Sequence, residues 1–315
     1  MPKVSIIIPA YNAENTIAET INSVLQQTFV DFELIIVNDG STDDTEKVIQ
    51  TINDSRIKYF YQKNIGQCAA SNLGIAKSTG DFIKFLDADD IINNIHIEMQ
   101  YEKIKHDSSS IASCKWGRFY NNNFKSAKFV PEQVWNDLSG YDWIKISLSQ
   151  RYSMMGGWLW LIPKELLNKV GWWDEKLTLN NDFEFSIRLL LGAKNVVFAD
   201  ESILYYRTGI STSVSNYSTE KVYNEVYNAN LLGCNHLLAF DNSSLMKTLC
   251  ANRLQECVFS IYPKYKNIVE KYEAHIKAWG GSTIKLEGGF VLKLLSNIIG
   301  WKNAKKIKLI LNKMF

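Results

Sequence analysis

Apolar and polar positions alternate in blocks along the N-terminal part of the chain. Val4 to Ile8 is a short apolar, β-branched run closed by Pro9, which predicts a buried strand. Ile17, Ile21, Val24 and Leu25 then recur at helical spacing, with Asn12 or Asn15 upstream to cap the helix. Leu34 to Val37 predicts a second buried strand, running into Asn38-Asp39-Gly40. Ser41 and Asp44 match the pattern of a helix start. Ile57 to Tyr61 predicts a third strand, Cys68 to Ala76 a helix, and Phe82 to Leu86 a fourth strand. Strands alternating with helices imply a parallel sheet with helices on both faces. Ligands of such sheets bind outside the C-terminal ends of the strands.

Further along, the pattern is weaker. Residues 96–150 show no clear period, and Ser108-Ser109-Ser110 and Asn121-Asn122-Asn123 read as loops. Phe183, Ile187, Leu190 and Leu191 share one face of a helix that begins near Asp182. Residues 220–232 and 244–266 are helical in pattern. The last stretch, Phe290 to Phe315, holds six lysines (293, 302, 305, 306, 308 and 313), no acid and abundant apolar surface, with Gly300-Trp301 as a point of bending. A basic amphipathic stretch with a tryptophan predicts an interfacial helix on an anionic membrane. Each lysine near such a surface is attracted by about 1 kcal/mol. A capping helix or a dimer contact is the alternative.

Composition narrows the classes. With 315 residues, 46% of them hydrophobic, the chain supports one large domain plus an accessory region. A net charge of +2 gives no global field for nucleic acid. The five cysteines (68, 114, 234, 250, 257) follow no metal-ligand spacing and read as buried small hydrophobes in a reducing compartment. Met1-Pro2-Lys3 leads straight into a strand without a secretory apolar region, and no run of 18 apolar residues occurs. These features point to a cytoplasmic protein, peripheral on the inner face of the cell membrane through its tail.

The chemistry is carried by Gly80-Asp81-Phe82-Ile83-Lys84-Phe85-Leu86-Asp87-Ala88-Asp89-Asp90. An apolar run delivers three carboxylates within four residues to one point outside a sheet. Packing them there is unfavourable unless a cation sits among them. Magnesium and manganese take one or two protein carboxylates and complete their shell with water and substrate phosphates. The string therefore suggests a metal–diphosphate site, and a polar turn after a strand is the plain alternative. Asp39 falls at a second strand end.

Four motifs occur in register: Pro9-Ala10-Tyr11-Asn12, Val37-Asn38-Asp39-Gly40-Ser41-Thr42-Asp43, Asn64-x-Gly66 with Asn72-x-Gly74, and Phe85-Leu86-Asp87-Ala88-Asp89-Asp90. Together they resemble the family 2 glycosyltransferases of the GT-A fold, most tightly over residues 1–95 and more loosely to about 215. The resemblance implies an α/β GT-A fold, a Rossmann-like mixed sheet flanked by helices, with a helical C-terminal extension. Residues 1–215 would form the transferase domain, 1–95 its nucleotide-sugar half and 96–215 its acceptor half, and 216–315 the helical region with the basic tail. It implies an inverting transfer from a nucleotide-diphospho-sugar, a UDP-sugar favoured, to a glycan or lipid-linked acceptor, with Mn2+ or Mg2+, in cell-surface glycan assembly.

The resemblance also assigns roles. Asp39 would contact uracil, with Pro9, Tyr11 and Asn12 shaping the same pocket and Asn64, Gly66, Asn72 and Ala88 in the donor-binding set. Asp87 would face the ribose and the metal, Asp89 would be the direct ligand, and Asp90 would assist. Asp182 alone reads as a helix cap. In its context it resembles the Glu-Asp-x-Glu segment whose Asp is the catalytic base, with Asn181 in place of the first acid and Glu184 in support. Tyr205-Tyr206-Arg207 and Ser211-Thr212-Ser213-Val214-Ser215 look like a closing element, in which Arg207 would grip the leaving diphosphate; a surface loop with a solvated arginine is the alternative. Trp158 and Trp160 are either a sugar-stacking surface or ordinary core. One departure is Ser71, where the family carries an arginine in Ala-Arg-Asn-x-Gly. Two rival functions are a non-catalytic sugar-nucleotide-binding or scaffold protein and a metal-dependent nucleotidyltransferase. Asp87-x-Asp89 with Asp182 argues against the first; the lack of a Gly-rich, basic loop after the first strand argues against the second.

Overall fold

The computed structural model describes residues 1–120, 122–150, 153–209 and 219–314, with side chains described as far as 311. The chain divides into two compact units, Met1–Tyr217 and Ser218–Phe315.

The first unit opens with β1 (Val4–Ala10), α1 (Ile17–Leu25), β2 (Phe32–Asp39), α2 (Thr45–Gln50), β3 (Ile57–Gln62), α3 (Gln67–Lys77) and β4 (Phe82–Phe85). β2 is buried along its whole length and β1 at all but Pro9. That explains their unbroken apolar runs, since parallel strands covered on both faces have no solvent side to alternate with. The four strands pair in parallel, with Ile7 opposite Ile35 on one side and Phe85 on the other. α3 lies so close to β1 that a Cβ on Gly74 would stand 2.3 Å from Ile7 Cγ2. This accounts for the glycine of Asn72-x-Gly74 by packing alone.

Beyond β4 the sheet changes character. The chain continues through β5 (Ile91–Ile92), α4 (His96–Ile104), β6 (Ile111–Phe119), β7 (Leu138–Ser139), α5 (Gly140–Ser149), a 3-10 turn (Gly157–Leu159), β8 (Leu161–Pro163), α6 (Lys164–Val170), α7 (Asn181–Gly192) and β9 (Asn195–Arg207). The strand order is β3-β2-β1-β4-β8-β6-β9-β5, with β7 on β9. β8 runs antiparallel to both β4 and β6, whereas β6 and β9 are parallel. The parallel expectation therefore holds for the N-terminal four strands, and the whole sheet is mixed. Trp158 and Trp160 are both buried, so they belong to the core and offer no open sugar-stacking face. α7 starts at Asn181 and is preceded by Asn180 in the left-handed region (φ 55°), so Asp182 is not its cap. Ser211 to Ser215 lies outside the described residues.

The second unit is helical: α8 (Glu220–Phe240), α9 (Ser244–Ile261), α10 (Lys266–Ala278), α11 (Phe290–Ile299) and α12 (Trp301–Met314). Leu237, Met246, Cys250, Leu254, Val258, Ile268 and Tyr272 form its core. The helical pattern expected over 244–266 is interrupted at Pro263, which cannot donate the backbone hydrogen bond a helix needs there. Gly300 (φ 78°) divides the tail into two helices. Trp301 packs edge-on against Phe259 and Tyr262, Lys302 pairs with Glu273, and Lys305 donates to the Phe259 carbonyl. Part of the tail's basic and aromatic surface is thus turned inward.

Candidate active site

β1, β2 and β4 are parallel neighbours, so their C-terminal ends lie along one edge of the sheet. The loops after β1 and β2 are tied together there. Asn12, in the left-handed region at φ 47°, accepts from Thr42 N at 2.8 Å through Oδ1, and its own N–H donates to Ser41 Oγ at 3.1 Å. Pro9 sits in the ladder opposite Val37, and Tyr11 is exposed. Asp39 is buried at the end of β2. Its Oδ1 accepts from Gln62 Nε2 at 2.7 Å and Ile65 N at 3.1 Å, and Oδ2 accepts from Gly66 N at 2.9 Å. A carboxylate has about four acceptor directions, so one remains. Asp39 therefore shapes the Asn64–Gly66 loop, where Gly66 takes φ 105°. Asn64 itself is exposed, and its backbone lies so close to Gly40 that a Cβ there would come within 2.6 Å of Asn64 N.

After β4, Asp90 N donates to Asp87 O at 3.2 Å and folds the acids into a turn. Ligand oxygens of Asp87, Asp89 and Asp90 all lie within 4.8 Å of one another. Gln67 Nε2 donates to Asp87 Oδ1 at 3.0 Å, and the Ala88 carbonyl accepts from Thr16 Oγ1 at 3.0 Å. Asp90 is buried, with Oδ1 accepting from Arg207 N at 2.8 Å and Oδ2 lacking a hydrogen-bond partner. Burial, then the charges of Asp182 and Asp89, pushes the Asp87 carboxyl well above the usual carboxylate range. Burial, with Asp89 and Asp87 beside it, does the same to Asp90. Burial also raises Asp89, against the pull of Arg207. An orphaned buried carboxylate oxygen within a set of hard oxygen donors fits Mg2+ or Mn2+.

Two residues expected to hold the donor are engaged elsewhere. Asn72 donates to Trp173 O and Glu175 Oε1 at 2.9 and 2.8 Å and accepts from Trp173 N at 3.0 Å, so its amide fastens α3 to the 173–175 segment. Arg207 is buried, so it is not a solvated surface arginine. Its guanidinium donates to Asp89 O at 2.7 Å, Asn122 Oδ1 at 2.6 Å and Glu19 Oε2 at 2.6 Å. It braces the acid turn. Ser71, at the family's arginine position, is buried.

Asp182 joins the same site from α7. Its Oδ1 accepts from Gly157 N at 2.7 Å, and burial pushes its carboxyl up to about 6 despite that bond. Gly157 is required there: a Cβ would stand 2.6 Å from Trp173 Cη2 and 3.3 Å from Asp182 Oδ1. Asn181 is buried and donates to Cys68 Sγ at 2.9 Å, facing the core where the family has an acid. Glu184 is buried on α7 in a two-point pair with Arg188 of the same helix, at 2.6 and 2.9 Å.

Four contributors were not singled out by sequence: Gln67, Glu19, Gly157 and Lys84. Lys84 is fully buried in the apolar run of β4 and donates to Trp158 O at 2.6 Å and Gln100 Oε1 at 3.1 Å, and burial lowers it to about 8. Gln100 in turn donates to Leu159 O at 2.9 Å. Together they fix the turn whose first N–H holds Asp182. A lysine inside an otherwise apolar strand and the Gly156-Gly157 pair were the available signals.

A fold and an acid-lined site of this kind define a class, and sequence comparison names it. The profile of glycosyl transferase family 2 matches residues 5–171, more than half of the chain, and the chain belongs to that family. An uncharacterized glycosyltransferase of Rickettsia bellii is 41% identical over 138 residues, covering 39% of this chain and 20% of that protein. Glycosyltransferase GlyA of Streptococcus pneumoniae is 28% identical over 230 residues, covering 70% of this chain and 32% of GlyA. The chain thus spans a third or less of these two relatives. It spans 90% of the uncharacterized glycosyltransferase RT0329 of Rickettsia typhi, with 29% identity over 301 residues. Among solved structures, S. aureus TarS 1-349 in complex with UDP-GlcNAc matches with a TM-score of 0.72 at 20% identity, covering 96% of this chain and 90% of that one. That likeness establishes the GT-A-type fold, a mixed sheet flanked by helices with a helical C-terminal region.

Because Arg207 is spent on bracing, Arg207→Met should lower stability. The expected loss is about 2–4 kcal/mol by urea unfolding, from breaking a buried charged network. An unchanged stability together with a loss of UDP affinity would instead make Arg207 a diphosphate clamp.

Proposed function

We propose that the chain is a cation-dependent, inverting glycosyltransferase that moves a sugar from a UDP-sugar to a hydroxyl of a glycan or lipid-linked acceptor in cell-surface glycan assembly. The observation that carries this reading is the convergence of Asp182 with the acid turn, close enough that its charge raises Asp87. A cation site and a raised, isolated carboxyl side by side are what an inverting displacement needs. The UDP and UDP-GlcNAc complexes of TarS favour a UDP-sugar donor.

In this reading residues 1–95 hold the donor and 96–215 the acceptor. Asp39 accepts from the base through its remaining direction, in a pocket shaped by Pro9, Tyr11, Asn12, Asn64 and Gly66. Asp89 and Asp87 would hold Mn2+ or Mg2+, and Asp90 would assist. When bound, the cation neutralises charge developing on the departing diphosphate. Gly157 N–H fixes Oδ1 of Asp182 and leaves Oδ2 for the acceptor. Asp182 removes the acceptor proton, and the hydroxyl attacks the anomeric carbon opposite the diphosphate. One displacement inverts the configuration.

Asp89→Ala should abolish metal-dependent UDP release and donor binding while the fold persists. Near-normal turnover in that variant, or full activity in excess EDTA, would overturn the cation assignment.

Asp182 must be ionised to act, so kcat should rise with pH through about 6 and level off above it. Asp182→Asn should lose this limb and about 10²–10⁴-fold in kcat. Stability should move the other way. A carboxyl raised on folding contributes its full stability below the unfolded value of about 4, and loses it as pH rises through about 6. Asp182→Asn should therefore hold or raise Tm at neutral pH. A fall in Tm with kcat intact would make Asp182 a structural residue.

The tail supports a peripheral position. α11 exposes Phe290 (81%), Val291, Leu294 and Ile298 (69%), and α12 exposes Ile307, Ile310 and Leu311. Lys293, Lys306 and Lys308 are exposed beside them, with no acid in the segment. Like charges would oppose self-association there, whereas an anionic lipid surface complements them. Among the described residues no helix is long and apolar enough to cross a membrane. Co-sedimentation with anionic vesicles should weaken with salt and disappear when residues 290–315 are removed. Binding that survives the deletion, or is absent in the intact chain, would exclude this role.

A further inference from the structure

The aromatic wall between the acid turn and the Gly157–Leu159 turn carries a cation that none of these roles uses. Arg118 on β6 and Tyr206 on β9 are register partners on parallel strands. The Arg118 guanidinium carbon lies 5.1 Å from the centre of the Tyr206 ring and 5.4 Å from that of Trp116. Trp158 closes the wall, its ring centre 5.5 Å from that of Tyr206 and 6.0 Å from that of Trp116. Arg56, Arg188 and Arg207 of the same unit each meet a carboxylate. Arg118 does not among the described residues; its guanidinium makes one weak hydrogen bond, from Nη2 to Met154 Sδ at 3.6 Å. Glu132, nearby, accepts from Trp116 Nε1 at 2.8 Å and Ser153 Oγ at 2.7 Å, and burial raises its carboxyl in spite of Arg118. A half-buried planar cation is left stacked on rings, with most of its donors unspent among the described residues.

Its neighbours say what it faces. Tyr206 adjoins Arg207, whose backbone N–H donates to Asp90 Oδ1 at 2.8 Å, and burial, then the charges of Asp90, Asp87 and Asp89, raises its phenol, so Tyr206 lies near the acid turn. Trp158 belongs to the turn whose Gly157 N–H holds Asp182. The cation that acts on Asp89 and Asp90 is Arg207. Arg118 is thus joined to the acid turn through Tyr206 and to the turn that holds Asp182 through Trp158.

We propose that Arg118, stacked on Trp116 and Tyr206, is a subsite for an anionic group on the acceptor, a carboxylate or a phosphate ester, and that the acceptor is therefore an acidic glycan. This rests on the transferase reading. The donor's own negative charge is met at the acid turn, so a second anion site, joined through Trp158 to the turn that holds Asp182, belongs to the molecule whose hydroxyl Asp182 takes. The planar guanidinium fork matches carboxylate and phosphate alike, in two-point geometry that an ammonium cannot give. The stacked rings hold the fork in place and strengthen it by shielding it from water.

Three probes share one hexose ring: methyl glucoside, glucuronate and glucose 6-phosphate. In calorimetric titrations the two acids should bind the intact protein about 10- to 100-fold more tightly than methyl glucoside, the range for a hydrogen bond to a charged group. Arg118→Met should remove that preference, and Arg118→Lys, which keeps the charge but not the fork, should retain part of it. UDP affinity in the presence of Mn2+ should be unchanged in both. The comparison of the two acids separates a carboxylate from a phosphate source. Equal binding of methyl glucoside and the acids, or acid binding that survives Arg118→Met, overturns the site. A loss of UDP affinity in Arg118→Met reassigns it to the donor and overturns the proposal. Transfer to methyl glucoside as fast as to the acids overturns the acceptor assignment. Acid binding through Arg118 in a protein that releases no UDP from any UDP-sugar would instead sink the transferase reading and leave the anion site standing.

Discussion

Asp87, Asp89 and Asp90 stand within 4.8 Å of one another at the mouth of a buried strand, where little water screens them. Their mutual repulsion is the constraint around which the first unit is arranged. A backbone bond from Asp90 to Asp87 folds the turn, Gln67 reaches it from α3, and Arg207 reaches it from the end of β9. Arg207 is itself held by Glu19 on α1 and by Asn122. Segments remote in sequence thus brace one cluster of like charge, α3 and β9 directly and α1 and Asn122 through Arg207. The repulsion is lessened and not removed: one Asp90 oxygen has no hydrogen-bond partner, and the acids stay raised.

The candidate base is held by a different principle. No cation pairs with Asp182 among the described hydrogen bonds; a single backbone N–H at Gly157 orients it. Burial then sets its carboxyl near 6, a value suited to taking a proton near neutral pH. The orientation depends on a turn fixed from behind by buried Lys84 and Gln100. Lys84 lies in the strand that delivers the acid turn, so one strand supports both that turn and the turn that holds Asp182.

Trp158 shows how burial and function can share a residue. It does not stack on a sugar, yet its ring joins Tyr206, Trp116 and Arg118 into one wall, and its carbonyl receives Lys84. The second unit is organised by more ordinary means. Pro263 and Gly300 divide apolar periodicity into helices, and the tail keeps part of its apolar and basic surface outward.

The sequence by itself determined the four parallel strands, the acids at the end of β4, the glycine-bearing loops and a helix starting beside Asp182. These follow from residues adjacent in the chain, where period, capping and turn chemistry act locally. Family membership was legible for the same reason, since its motifs are short and lie in order. Only the tertiary structure decided that the sheet turns mixed at β8, that Trp158 and Trp160 are core, and that Asn72 and Arg207 are braces. It alone showed that Lys84 supports the turn that holds Asp182. Each of those outcomes rests on partners distant in sequence, 74 residues from Lys84 to Trp158 and 118 from Arg207 to Asp89. A buried polar group is satisfied by whatever the fold brings against it, and a local pattern holds no record of that partner.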